Sequence, residues 1–81
     1  MKTVQIQVRG GKPFIPKRYH LEREASNRYT LTIPGLQGFD DPYLYDSLTV
    51  WVGMEKAIRV SWVAADPYNR AVELMVLLPP N

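Results

Sequence analysis

The stretch TVQIQVR, residues 3–9, alternates apolar and polar side chains along its whole length. Val4, Ile6 and Val8 fall on one side, and polar or charged residues fall on the other. Successive side chains of a β-strand point to opposite faces, so a period of two is typical of a strand with one buried face. The stretch therefore predicts a strand that lies against a core and turns its other face to water.

The same alternation recurs further along the chain, between segments rich in glycine and proline that favour turns. It is present in RYHLER (18–23), RYTLTI (28–33), SLTVWVG (47–53) and AIRVSWVA (57–64). The inward residues predicted from these four stretches are Tyr19, Leu21, Tyr29, Leu31, Ile33, Leu48, Val50, Val52, Ile58, Val60 and Trp62. The pattern indicates an antiparallel β protein whose strands each contribute one apolar face to the core.

The last apolar segment, RAVELMVLL, allows two interpretations. Alanine, glutamate, leucine and methionine favour a helix, and Asp66-Pro67 could form its cap and first turn. Val72, Val76 and the short loop after Val63 favour a strand that pairs with its predecessor. We expect a strand, with a helix over 67–78 as the open alternative.

Five or six short strands in 81 residues predict an all-β fold, a small antiparallel barrel or sandwich. The size suits an SH3-like or an OB-like topology, and nothing in the sequence chooses between them. One domain over residues 1–81 is expected, because no linker is long enough to separate two.

Composition argues against most chemistry. The chain has no cysteine and one histidine, so neither a disulfide framework nor a zinc site is expected. His20 lies on the outward side of a predicted strand, where a solvated residue is expected rather than a catalytic base. We therefore expect no enzyme activity, no metal and no cofactor. The longest apolar run, LMVLL, is too short for a membrane span, and a cytoplasmic protein is expected.

The acidic and aromatic stretch GFDDPYLYDSL, residues 38–48, is the most unusual segment. Its tripeptide Asp-Pro-Tyr at 41–43 recurs at 66–68, again before an apolar segment. Aspartate followed by proline favours a turn, so this tripeptide is interpreted as chain reversal. Asp40, Tyr45 and Asp46 are left without a structural role, and their spacing does not match a calcium loop. We interpret them as the polar rim of a binding surface.

The strands of the second half carry apolar residues on both faces. Opposite the inward set lie Trp51, Val63, Met75 and Leu77. A sheet with one solvated face should be polar there, so either the first-half loop PFIP (13–16) or another protein is expected to cover this face. The leading hypothesis is a non-catalytic protein-binding domain that self-associates, most simply as a homo-oligomer, or caps and regulates a larger partner. Its surface would combine these four residues with Asp40, Tyr45 and Asp46.

The alternative hypothesis is a nucleic-acid-binding domain. Residues 1–40 hold seven basic and three acidic residues, a net +4, whereas residues 41–81 hold three basic and five acidic, a net −2. Cationic and aromatic residues interleaved in this way are typical of proteins that bind single strands. The predicted contacts are Lys12, Phe14, Lys17, Arg18, Arg23 and Arg28. The competing interpretation places the aromatic Tyr19 and Tyr29 in the core, with the cations at the solvated edges of a hairpin.

Overall fold

The computed structural model describes residues 2–34, 47–66, 68 and 71–80. Its described part forms seven β-strands: β1 (Val4–Val8), β2 (His20–Arg23), β3 (Arg28–Pro34), β4 (Leu48–Val52), β5 (Glu55–Lys56), β6 (Arg59–Asp66) and β7 (Ala71–Leu77). They make two antiparallel sheets, a three-stranded sheet in the order β1-β4-β5 and a four-stranded sheet in the order β2-β3-β7-β6. The all-β prediction is confirmed. The two sheets form a sandwich rather than a closed barrel, and the described strands number seven rather than five or six.

The two sheets enclose one core, which is built from the alternate residues of four strands, β1, β3, β4 and β7. Val4 and Ile6 of β1 are fully buried, as are Leu31 of β3 and Leu74 of β7. The remaining buried apolar residues are Tyr29, Ile33, Leu48, Val50, Val52, Val72, Val76 and Leu78. The predicted inward faces of β1, β3 and β4 are therefore confirmed. Tyr29 lies in this core, and Tyr19 packs partly against it.

The C-terminal segment is a strand, and the helical alternative is wrong. β7 lies between β3 and β6 and pairs with both along its whole length. Both neighbours supply ladder hydrogen bonds, and the two-residue period of its apolar side chains matches the buried face of the sheet. This pairing outweighs the modest helix propensity of Ala71, Glu73 and Leu74.

A corner between β5 and β6 carries the chain from one sheet to the other. The Ala57 amide donates to the Val50 carbonyl of β4 at 2.8 Å, and the next amide, of Ile58, donates to Leu77 of β7, also at 2.8 Å. The preceding turn is tight because Gly53 has a φ of 63°, a conformation that costs glycine little. The corner places β6 at one margin of the four-stranded sheet.

The loop after β1 closes the opposite margin of the three-stranded sheet. Phe14 exchanges two backbone hydrogen bonds with Ile6, at 2.8 and 2.9 Å, so it covers the free edge of β1. The Tyr19 hydroxyl lies 3.3 Å from both the Val4 nitrogen and the Lys2 carbonyl oxygen, which ties the end of the loop to the same strand. PFIP therefore lies against β1.

Two residues predicted to point inward, Ile58 and Trp62, are exposed to solvent. Ile58 is 61% exposed because it lies in the corner, outside the strand. Trp62 pairs with the buried Leu74 and so lies on the inward face, yet it is 38% exposed. The alternation located the face of Trp62 correctly, but it could not show that no described strand lies on the outer side of β6. Val60, the third of this group, packs partly against the core.

Candidate functional site

The outer edge of β6 is the candidate functional site. β6 is the longest strand described, eight residues, and it pairs on one side only, with β7. No described strand pairs with its other side. Between Arg59 and Asp66 the sequence VSWVAA holds no charge, no proline and no glycine. We call this unpaired side of β6, with Trp62 and Val63, the β6 edge.

A β-bulge sits in the middle of the β6 edge. The pairing with β7 shifts between Trp62 and Ala64, so that Val63 is an extra residue without a ladder partner. Val63 is 51% exposed. A bulge twists an edge strand locally, which opposes regular pairing, and it also changes the direction in which a side chain is presented. Here the bulge presents an apolar side chain.

The other described edges are each protected against pairing. The edge of β1 is covered by Phe14. β2 has only four residues, HLER, and three of them carry ionisable side chains. β5 consists of two charged residues, Glu55 and Lys56. Short length, charge and coverage are the ways in which natural proteins prevent edge-to-edge association. No described residue pairs with the β6 edge, and the strand is neither short nor charged along its centre, so among the described edges it is the one best suited to pairing.

The structure separates the residues predicted to form one apolar surface. Trp51 lies on the outer face of the three-stranded sheet, in register with Gln5 and Lys56. Met75 and Leu77 lie on the outer face of the four-stranded sheet, because they alternate with the buried residues of β7. All three are half-buried. Trp51 therefore belongs to a different face from Met75 and Leu77, and only the latter two lie beside β6.

Polar residues surround Met75 and Leu77 on their face. Met75 is in register with Thr30 and Ser61, and Leu77 is in register with Arg28 and Arg59. The outer face is thus a mixed surface with two half-buried apolar residues, and the exposed Val63 lies at the bulge along its margin. The predicted rim residues Asp40, Tyr45 and Asp46 lie outside the described residues.

The predicted nucleic-acid contacts fall into separate groups in the structure. Phe14, Lys17 and Arg18 line one open cavity of about 410 Å³, together with Ile15, Pro16, Ile33 and Pro34. Arg23 lies at a second, polar cavity of about 210 Å³ that also includes Lys2, Tyr29 and Glu55. Arg28 lies on the outer face of the four-stranded sheet, in register with Leu77. Three of the six predicted nucleic-acid contacts therefore share a groove.

The groove beside Phe14 is apolar at its floor and cationic at its rim. Phe14 is 41% exposed although its backbone is fixed to β1, so part of the ring is open to a ligand. Lys17 and Arg18 are exposed. Between residues 2 and 21 the sequence holds five cations and no acidic residue. The groove is thus suited to an anionic ligand with a flat apolar part.

The remaining ionisable groups show no constellation of a catalytic or metal site within the described residues. No group of three or more His, Asp or Glu side chains there could hold a metal ion. His20 lies 3.9 Å from Glu22, and both side chains are mostly exposed. Likewise, no described helix is long and apolar enough to cross a membrane.

No protein-family model matches the chain, and comparison with curated proteins and with solved structures returned no match.

The β6 edge itself was not predicted from the sequence. Trp62 was predicted as a core residue, and Val63 was grouped with residues that lie on two different sheets. The signal that could have found it is the run VSWVAA, six uncharged residues between an arginine and an aspartate. Such a run is as typical of a central strand as of an edge. Only the order of the strands in the sheet distinguishes a central strand from an edge strand.

Proposed function

We propose that this protein is a non-catalytic binding domain that pairs with a strand of another protein chain through the β6 edge. The observation that carries the proposal is the contrast among the described edges: three are covered, short or charged, whereas β6 is long and carries only uncharged residues between its two ends. A strand added to a free edge gains backbone hydrogen bonds, and the alternate side chains provide specificity. A cytosolic location fits this role, because the chain has no cysteine for disulfides.

Exposed apolar residues beside the edge support the same function. Trp62, Val63 and Ile58 are all more than one third exposed and lie within six residues of one another. Tryptophan is enriched among the residues that dominate binding energy, and a partner strand would bury it. Met75 and Leu77 on the adjoining face would extend the contact, and Asp40, Tyr45 and Asp46 stay a predicted rim.

The test is a charge placed on the edge. Short random peptides are selected on the immobilised protein by phage display, and the enriched peptides are labelled and titrated by fluorescence anisotropy. Val63→Lys should weaken their binding by about tenfold or more, because edge lysines oppose strand addition. Met54→Lys is the matched control, since Met54 is fully exposed in the β4–β5 turn, and it should bind as the wild type does.

Two outcomes would contradict this function. One is enrichment of peptides that bind Val63→Lys as tightly as the wild type. The other is failure to enrich any peptide over a support without protein. Thermal unfolding of both lysine variants should stay within a few degrees of the wild type, because each side chain is at least half exposed and contributes little to stability.

A second candidate function is the binding of single-stranded nucleic acid in the groove beside Phe14. The observation that favours it is the grouping of an exposed aromatic ring with Lys17 and Arg18, in a segment without acidic residues. A base can stack on Phe14 while the cations neutralise the adjacent phosphates. Arg23 and Arg28 lie elsewhere and are not part of this version of the site.

Anisotropy of a fluorescein-labelled oligothymidylate tests this candidate. If Lys17 and Arg18 each neutralise one phosphate, raising the salt from about 50 to about 200 mM should weaken binding roughly sevenfold. Phe14→Ala and Arg18→Ala should each reduce affinity, whereas Arg28→Ala, a cation on the outer face of the four-stranded sheet, should leave it unchanged. Absence of binding at micromolar protein and low salt would remove this candidate.

A further inference from the structure

We propose that the strand bound at the β6 edge is β6 of a second copy of this protein, paired antiparallel about a two-fold axis that passes between Trp62 and Val63. This inference rests on the proposed function and names its partner. The two four-stranded sheets would then join into one continuous sheet of eight strands. Two-fold pairing of identical surfaces is the commonest way in which soluble proteins form oligomers.

The charges at the two ends of β6 favour an antiparallel second copy. The strand begins at a basic residue, Arg59, and ends at an acidic one, Asp66, with only uncharged residues between them. An antiparallel copy brings position 59 of one chain opposite position 66 of the other, twice in the dimer. Opposite charges across neighbouring strands stabilise pairing, and like charges oppose it. A parallel copy in the same register would place arginine opposite arginine and aspartate opposite aspartate.

The bulge at Val63 makes this alignment consistent with the two faces of the sheet. Positions 59, 61, 64 and 66 are in register with Leu77, Met75, Glu73 and Ala71, which share the outer face of β7. Without the extra residue, positions 59 and 66 would lie on opposite faces, because faces alternate along a strand. Paired residues must share a face, so the bulge is what allows position 59 to meet position 66 of a second copy.

The remaining pairs of this register are also compatible. Ser61 would meet Ala64 on the outer face, and Val60 would meet Ala65 on the inner face, so a larger side chain meets a small one in each pair. At the centre, the exposed Trp62 of each copy would meet the exposed Val63 of the other. The apolar centre and the charged ends together describe a self-complementary edge.

Charge reversal tests the proposal through light scattering after size exclusion and through sedimentation equilibrium. The wild type should form a concentration-dependent dimer. Arg59→Asp and Asp66→Arg should each raise the dimer dissociation constant about tenfold or more, since each variant places like charges opposite one another. The double variant, Arg59→Asp with Asp66→Arg, restores opposite charges and should return the constant to within about threefold of the wild type. Arg23→Asp, the same change at the other edge of the same sheet, should have no effect.

The outcomes separate this proposal from the function on which it rests. A dimer that is insensitive to either reversal, or a double variant that stays as weak as the single ones, overturns the proposed alignment. A wild type that is monomeric at every concentration overturns self-pairing altogether. If display-selected peptides still bind in a manner that Val63→Lys abolishes, the β6 edge keeps its binding function with a foreign strand as partner. Circular dichroism of each variant checks that the fold is retained.

Discussion

Replacement of Leu31 by alanine should lower the free energy of unfolding by about 2–5 kcal/mol. Leu31 is fully buried in β3, where it is in register with Leu74 of β7 and with Leu21 of β2. The lost side chain leaves a cavity between the two sheets, and a close-packed core fills it only in part. A domain of this length has a total stability of about 4–12 kcal/mol, so the variant should lose a large fraction of it.

Leu21→Ala is the matched control for this prediction. Leu21 is also a leucine and pairs directly with Leu31, but it lies on the edge strand β2 and is only half-buried. Its truncation should cost about 1 kcal/mol, because water can fill the space that the side chain leaves. Urea unfolding followed by tryptophan fluorescence measures both variants. An equal or larger loss for Leu21→Ala would mean that the core does not lie between the two sheets as described.

Leu78→Ala should have the second-largest effect, about 2–4 kcal/mol. Leu78 follows the last residue of β7 and is 2% exposed. Its amide donates to the Asn27 carbonyl at 2.8 Å, and its own carbonyl accepts from the Asn27 side-chain amide at 3.1 Å. These bonds fix the backbone just beyond the end of β7, so that the Leu78 side chain packs into the same core as Tyr29.

The neighbouring leucine provides the comparison for Leu78→Ala. Leu77→Ala removes an identical side chain one position earlier, on the half-buried outer face. It should cost less than about 1.5 kcal/mol, because it removes a partly solvated side chain and leaves no enclosed cavity. Thermal unfolding should separate the two variants by roughly 5–15 °C for a domain of this size. If Leu77→Ala proved the more costly of the pair, the assignment of faces along β7 would be wrong.

Local alternation predicted the fold class and most of the core correctly. Val4, Ile6, Leu31 and Val50 are buried because each lies at an apolar position of a two-residue period, and that period alone determines which face of a strand is covered. The same rule resolves the C-terminal segment in favour of a strand. A sheet ladder on both sides of β7 provides more stabilisation than the helix propensity of its residues.

Sheet order could not be obtained in this way, and it decides the candidate site. Trp51 and Met75 each alternate with buried residues along their own strand. The sequence therefore gives no reason to place them on different surfaces. Strand pairing places them on different sheets, since β4 pairs with β1 whereas β7 pairs with β3 and β6. For the same reason Trp62 is inward by alternation and exposed by its position at the margin. Long-range pairing, rather than side-chain character, determines which apolar residues are available to a partner.

The β6 edge and the groove beside Phe14 differ in what they can bind. The edge offers a strand side that no described strand pairs with, beside apolar side chains, which suits an extended polypeptide. The groove offers a ring and two cations, which suits a base and its phosphates. The two sites involve different elements of the fold, so variants at one should leave binding at the other unchanged.

Amide hydrogen exchange at low and high protein concentration tests the role of the β6 edge most directly. As the dimer forms, exchange should slow at the amides of Arg59–Asp66, while the amides of His20–Arg23, at the other edge of the same sheet, should exchange at an unchanged rate. Protection confined to β6 would localise the association to the proposed edge. Association that slows exchange at β2 or around Trp51 while leaving β6 unchanged would contradict it.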